Sequence, residues 1–233
     1  MSDLRKTMGN EAEKEAAARA SLHYIHDGQV VGLGSGSTAT IAIRLLAEQV
    51  RAGLKVRGIP TSKASHDLAL QLGIPLITFH DAQQIDVTID GADEFDPHLN
   101  LIKGGGGALL REKIVASVTK LQVIVTDSSK QVPVLGKFPL PVEVIKFAER
   151  LIANKISALG ARVLLRQDSA GKPYLTDEGN YILDCQFGQI HDPAALGRTL
   201  KEIPGVVEHG LFVGMASVVL MANAGVVEEF RRS

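Results

Sequence analysis

Gln29-Val30-Val31-Gly32-Leu33-Gly34-Ser35-Gly36-Ser37-Thr38 is a short apolar run that breaks into glycines and hydroxyls. An apolar run of this length, bounded by turn residues, reads as a buried strand, predicted over 29–33. Ser37 or Thr38 can cap the helix that follows, expected over 39–51, where Ile41, Leu45 and Leu46 recur at helical spacing. A second strand is expected over 55–59, ending in Pro60-Thr61-Ser62. Strand, glycine loop, helix and strand form a parallel βαβ unit, which sets the frame for the rest of the chain.

Upstream, residues 11–25 read as a helix with Ala17, Ala18, Leu22 and Ile25 near one face. Downstream, a helix over 63–72 stops at Gly73, and strands are expected over 74–78 and 85–89, the second delivering Asp90. A helix over 108–119 and a strand over 121–126 continue the alternation. This order predicts an α/β fold, a Rossmann-like domain whose parallel sheet carries helices on both faces. Residues 136–141 look like a linker. Beyond it the expected order is strand 142–145, helix 148–159, strand 161–166, turn 168–173, strand 181–186, helix 193–202 and strand 206–210. That β-α-β-β-α-β order predicts a smaller α+β, ferredoxin-like domain. The apolar run 211–221 is expected to return to the first domain. The predicted division is thus 1–140 with 210–233, and 141–209.

At 233 residues, 45% hydrophobic and 22% charged, the composition is that of an ordinary globular protein with room for one large or two modest domains. A net charge of −1 leaves no basic footprint, so neither a nucleic acid nor a membrane partner is expected. Aromatics make up only 4% and Trp is absent, which removes the usual stacking platforms for bases. One cysteine, Cys185, excludes an internal disulfide framework and fits a reducing compartment. With no apolar segment of signal or membrane-span length, the expected location is the cytoplasm.

Three places carry chemistry. The loop Ser35-Gly36-Ser37-Thr38 combines free backbone donors, hydroxyls and a helix N-terminus, a setting for phosphate. A dinucleotide fingerprint fails there, because its third glycine would fall on Ser37 and strand 55–59 ends in Thr61 and Ser62 rather than an acid. The alternative is a tight turn that binds nothing. Asp90-Gly91-Ala92-Asp93 closes a strand with two carboxylates, suited to proton transfer or sugar hydroxyls, or else to turn formation. The seven histidines supply no companion ligands, so no metal is expected. Lys103 precedes Gly104-Gly105-Gly106-Gly107, a run that is costly to order and makes sense where a backbone approaches a ligand. Glu112 follows one turn into the next helix. Leu110, Ile114, Val115 and Val118 define the core stripe there, and Glu112 points away from it, as a solvated residue would.

Together these motifs resemble the type A ribose-5-phosphate isomerase family over nearly the whole chain. The resemblance rests on Gly34 to Ala39, Asp90 to Glu94, Lys103 to Lys113, Asp127 to Lys130 and Leu135 to Val144. It implies interconversion of D-ribose 5-phosphate and D-ribulose 5-phosphate in the non-oxidative pentose phosphate pathway, without cofactor, by a homodimer or sometimes a tetramer. By this likeness Glu112 is the base, Asp90 assists ring opening, and Lys103 stabilises the oxyanion. Ser35, Gly36, Ser37, Thr38 and Lys130 hold the phosphate, and Gly91, Ala92, Asp93 and the amides of Gly104, Gly105 and Gly106 position the sugar. A sugar-phosphate-sensing domain without turnover, and a CoA transferase, are the rivals; turnover of ribose 5-phosphate separates all three.

Overall fold

The computed structural model describes residues 2–232, with side chains from residue 11 onward. Helix α1 (Ser2–Ser21) leads through a 3-10 turn, Leu22–Tyr24, into strand β1 (Val30–Leu33). Helix α2 (Ser37–Arg51), strand β2 (Arg57–Pro60), helix α3 (Lys63–Gln71) and strand β3 (Ile85–Asp90) follow. Two short strands, β4 (Glu94–Phe95) and β5 (Leu101–Ile102), precede helix α4 (Leu109–Ser117) and strand β6 (Thr119–Asp127). After a 3-10 turn at Ser128–Lys130 come β7 (Leu140–Val144), α5 (Glu149–Ser157), β8 (Arg162–Leu165), β9 (Tyr181–Gln186), α6 (Pro193–Lys201) and β10 (Val206–His209). The last strands are β11 (Leu211–Phe212), β12 (Val218–Asn223) and β13 (Val226–Arg231).

Contacts divide the chain into two compact units, one of residues 1–92, 111–130 and 215–233, the other of residues 93–110 and 131–214. The first is built on a six-stranded sheet in the order β13-β12-β6-β3-β1-β2, parallel except for β13. Along β1 the side chains alternate: Val31 and Leu33 join Ala42, Ile43 and Leu46 of α2 on one face, and Val30 joins Ile59, Ile85 and Val115 on the other. Each such fully buried aliphatic side chain contributes about 1.5–3 kcal/mol. The chain crosses from β1 to β2 on one side, then returns to place β3 on the other. That reversal opens a crevice past the carboxyl ends of β1 and β3, the place where open α/β sheets bind ligands.

The second unit holds the expected β-α-β-β-α-β element as an antiparallel sheet in the order β10-β7-β9-β8. Val142, Val144, Ile152, Ile156, Leu183 and Leu200 form its core. A three-stranded sheet, β11-β5-β4, completes this unit.

Several expectations need correction. Residues 74–78 form no strand; Leu76 makes a single bridge to Gly58. Helix α2 begins two residues earlier than expected, with Gly36 at the cap position and no side-chain cap bond, so Ser37 and Thr38 lie inside the helix. The run 211–221 is two strands in different sheets: β11 pairs with β5, and only β12 joins β6. The segment 136–141, expected as a linker, is held in place. Glu94 accepts the Gly136 and Phe138 N–H groups, and Leu140 is already in β7 and fully buried.

Candidate active site

In the first unit the site grows from the end of β3. Asp90 is the last residue of that strand and is wholly buried. Its Oδ1 accepts the Ser35 N–H at 3.0 Å and the Gly91 N–H at 2.8 Å. A carboxylate held by backbone N–H groups is fixed in orientation as well as place. Gly34 makes this possible. Its N–H donates to Ile89 O at 2.9 Å, and a Cβ on Gly34 would collide with the Asp90 carboxylate.

Ser35 is tied sideways. Its hydroxyl lies 2.8 Å from Thr61 Oγ1 and donates to Ser62 Oγ at 2.8 Å. Thr61 and Ser62 therefore belong to the loop's support, a role that the Pro-Thr-Ser ending of β2 did not announce. Gly36, at φ +90°, turns the chain into α2. Ser37 is exposed, Thr38 buried, and neither caps the helix, so the first-turn N–H groups keep their positive end for an anion. Helix α3 contrasts with it: Ser62 and Ser65 close a reciprocal capping box on its own N-terminus.

Lys130 sits in the 3-10 turn after β6. Glu13 of α1 holds that turn, its Oε2 accepting the Ser128 N–H at 3.2 Å and the Ser128 hydroxyl at 3.0 Å. Asp127 accepts from the Ser129 N–H at 2.9 Å. Glu112 lies in α4 and is only 5% exposed, whereas Ile114 is 46% exposed. The helix therefore buries Leu109, Glu112, Val115 and Ala116, a face rotated from the stripe read off the apolar residues. The solvated position expected for Glu112 is thus corrected: the carboxylate is inside.

In the second unit, Asp93 donates its N–H to Ile102 O at 2.8 Å, and its Oδ2 accepts the Gly105 N–H at 2.7 Å. Lys103 is 3% exposed, its ammonium 5.5 Å from the centre of the Phe212 ring. Its backbone N–H donates to Gly210 O at 2.9 Å, which anchors the base of the glycine loop. Gly104 at φ +102° and Gly107 at φ +83° bracket a turn closed by Gly107 N–H on Gly104 O at 2.9 Å. Gly105 and Gly106 are exposed at its tip. Arg166 and Tyr174 also touch this loop. They lie some sixty residues from it in sequence, and nothing in the local pattern pointed to them. Among the described residues no group of three or more His, Cys, Asp or Glu side chains could hold a metal ion, and no helix is long and apolar enough to cross a membrane.

Buried acids in the first unit, and a buried cation beside exposed glycine amides in the second, are residue types suited to moving protons on a polar, anionic small molecule. Comparison with known proteins narrows this. A family model described as ribose 5-phosphate isomerase A (phosphoriboisomerase A) matches residues 57–225. Proteins named ribose-5-phosphate isomerase A from Sphingopyxis alaskensis and Nitrobacter hamburgensis are 48% and 50% identical over 217 and 218 residues. These matches span 93% and 91% of this chain, and 95% and 94% of theirs. A solved D-ribose-5-phosphate isomerase in complex with phospho-erythronic acid matches with a TM-score of 0.93 at 39% identity, over 96% of this chain and 99% of that one. The ribose 5-phosphate isomerase A of Methanocaldococcus jannaschii matches with a TM-score of 0.91 at 40% identity, over 95% and 99%. The chain belongs to the ribose-5-phosphate isomerase A family.

Proposed function

We propose that this protein interconverts D-ribose 5-phosphate and D-ribulose 5-phosphate through an enediolate, in the non-oxidative pentose phosphate pathway. The observation that carries the reading, beside family membership, is the burial of three ionisable groups on the family's motifs. Asp90, Lys103 and Glu112 are 0%, 3% and 5% exposed. Burying a charge is expensive, so a fold that buries three at one set of motifs puts them to use.

The roles follow from the chemistry. Asp90, its orientation set by two amides, assists opening of the sugar ring and carries protons at the sugar oxygens. Glu112 takes the C2 proton of the open aldose; the electron pair moves into the C1–C2 bond and charge develops on the carbonyl oxygen. Returning the proton to C1, with the O2 proton passing to O1, gives the ketose. Lys103 stabilises the oxyanion, which it meets more strongly than the neutral carbonyl. Gly91, Ala92 and Asp93 with the amides of Gly104 to Gly106 position the sugar. Ser35 to Thr38 and Lys130 grip the phosphate, whose binding energy orients the reacting carbons. No cofactor has a role in this scheme. The same reading makes the protein a cytoplasmic homodimer acting on a small sugar phosphate, with no nucleic acid partner, which light scattering of the purified chain checks for the dimer.

The deciding experiment is incubation with ribose 5-phosphate in deuterated water. Wild type should form ketose and incorporate deuterium at C1 or C2. Glu112→Gln keeps size and hydrogen bonding but removes the base, so turnover should fall by about 10²–10⁴-fold with little change in substrate binding. Binding without ketose formation by wild type would refute the isomerase reading; near-normal exchange by Glu112→Gln would refute the assignment of the base.

A further inference from the structure

In a trans peptide, the carbonyl of one residue and the N–H of the next point in opposite directions. A side chain that pins a carbonyl therefore aims the N–H behind it. Three successive carbonyls of the glycine loop are pinned in this way. Arg166 Nη1 donates to Gly104 O at 2.9 Å and to Gly105 O at 3.0 Å, and the Tyr174 hydroxyl donates to Gly106 O at 3.2 Å.

The amides behind them can be followed one by one. Gly105 N–H reaches Asp93 Oδ2, and Gly107 N–H closes the turn on Gly104 O. Gly106 N–H, aimed by the grip on Gly105 O, donates to no protein group among the described residues. A Cβ at Gly106 would meet nothing within 4 Å, so the space around this residue is open.

Arg166 is itself locked. Its Nε donates to Asp184 Oδ2 at 2.9 Å and its Nη2 to Asp184 Oδ1, a two-pronged pair in a side chain only 13% exposed. The guanidinium carbon lies 5.9 Å from the centre of the Tyr174 ring, and a Cβ on Gly107 would run into that ring. Four consecutive glycines are the most expensive backbone to hold in one shape. The arginine fork, rigid and planar, is suited to holding it.

We propose that Arg166, set by Asp184 and seconded by Tyr174, is a positioning residue that aims the Gly106 amide at a substrate oxygen. The proposal rests on the isomerase reading of this loop. Arg166 touches no reacting atom in this account; it acts through the peptide it turns.

The test uses the full chain with Arg166→Ala, Arg166→Lys, Asp184→Asn and Tyr174→Phe. The readouts are kcat and KM for ribose 5-phosphate, inhibition by a phosphorylated four-carbon aldonic acid, inhibition by inorganic phosphate, and the thermal midpoint. The carboxylate of the aldonic acid stands in for the oxygens of the enediolate. Misaiming one preorganised donor should lower kcat by about 10–10²-fold, less than the ~10²–10³ for deleting such a donor. Aldonate affinity should fall with kcat, while KM and phosphate inhibition stay within about twofold. Lysine keeps the charge but not the fork and should fail to restore kcat, whereas added guanidinium should partly restore Arg166→Ala. Tyr174→Phe and Asp184→Asn should show the same pattern at smaller amplitude, and Asp184→Asn decides the matter if Arg166→Ala does not fold. Unchanged kcat and aldonate affinity would overturn the proposal, as would equal losses toward aldonate and phosphate. Absence of turnover by wild type would overturn the isomerase reading together with this one; normal wild-type turnover with an unaffected Arg166 series overturns this one alone.

Discussion

Replacing Gly34 by alanine should separate the fold's tolerance from the chemistry of Asp90. A Cβ at Gly34 would lie 2.5 Å from Asp90 Cα, and nearer still to Asp90 Oδ1 and Ile89 O, where ordinary contact starts at 3.4 Å. The neighbours are backbone and a pinned carboxylate, so β1 and β3 must part, or Asp90 must move, by about 1 Å to relieve the contacts to Asp90 Oδ1 and Ile89 O. Overpacking of this kind costs about 1–3 kcal/mol. At ~2–4 °C per kcal/mol for a chain of this length, the melting midpoint should drop by about 2–12 °C. A catalytic group misplaced by about 1 Å costs roughly 10²-fold in rate, so kcat should fall by about that much in a protein that still folds. Ketose formation from ribose 5-phosphate, with melting followed by circular dichroism, measures both. Gly36→Ala is the control. Its φ of +90° carries about 1–2 kcal/mol of left-handed strain, but its Cβ would meet nothing within 4 Å. That variant should show its damage in KM, at the phosphate end. A Gly34→Ala enzyme with kcat within about threefold of wild type, or one no worse than Gly36→Ala, would refute the argument that Gly34 is there to make room for Asp90.

Lys130→Ala should weaken ribose 5-phosphate by about tenfold or more while leaving the small activity on free ribose unchanged, since a cation on the phosphate contributes about 1.5–3 kcal/mol; equal losses on both sugars would move Lys130 away from the phosphate. Activity should survive exhaustive chelation, and loss restored by one divalent ion would contradict the scheme. Glu143, buried in β7 and accepting from Thr176 and Asn180, has its carboxyl pushed above the usual 4.5 by desolvation. Its protonated form is the one the fold prefers, so the stability it supports is full below the usual value and is lost as pH rises through the raised one. Glu143→Gln should therefore be more stable than wild type at about pH 8, with the difference shrinking toward about pH 4. A difference that does not vary with pH in thermal melts would count against this.

Local sequence determined the parts whose information is local. The run 29–33, the glycines after it and the helical spacing beyond reappear as β1, its loop and α2 within a residue or two, because each period is set by a few neighbours. The β-α-β-β-α-β order from β7 to β10 was legible for the same reason. Asp90, Asp93 and Lys103 stand out locally as candidates, since a charged residue closing an apolar strand, or sitting against four glycines, is conspicuous on its own.

Tertiary structure decided everything that depends on which face meets what. Apolar spacing placed Ile114 inside and Glu112 outside, and the fold reverses both, because a buried carboxylate breaks the hydrophobic pattern that assigns faces. The expectation that the run 211–221 returns as a whole to the first domain fails because hydrophobicity reports burial and not partner; pairing divides it between β5 and β6. Residues 136–141 read as a linker from their prolines and glycine, yet Glu94 takes up two of their N–H groups from some forty residues away. Arg166 is the extreme case: an arginine at the end of a strand carries no sign of its partners, and its hold on Gly104 and Gly105 exists only once the chain has brought residues sixty apart into hydrogen-bond range.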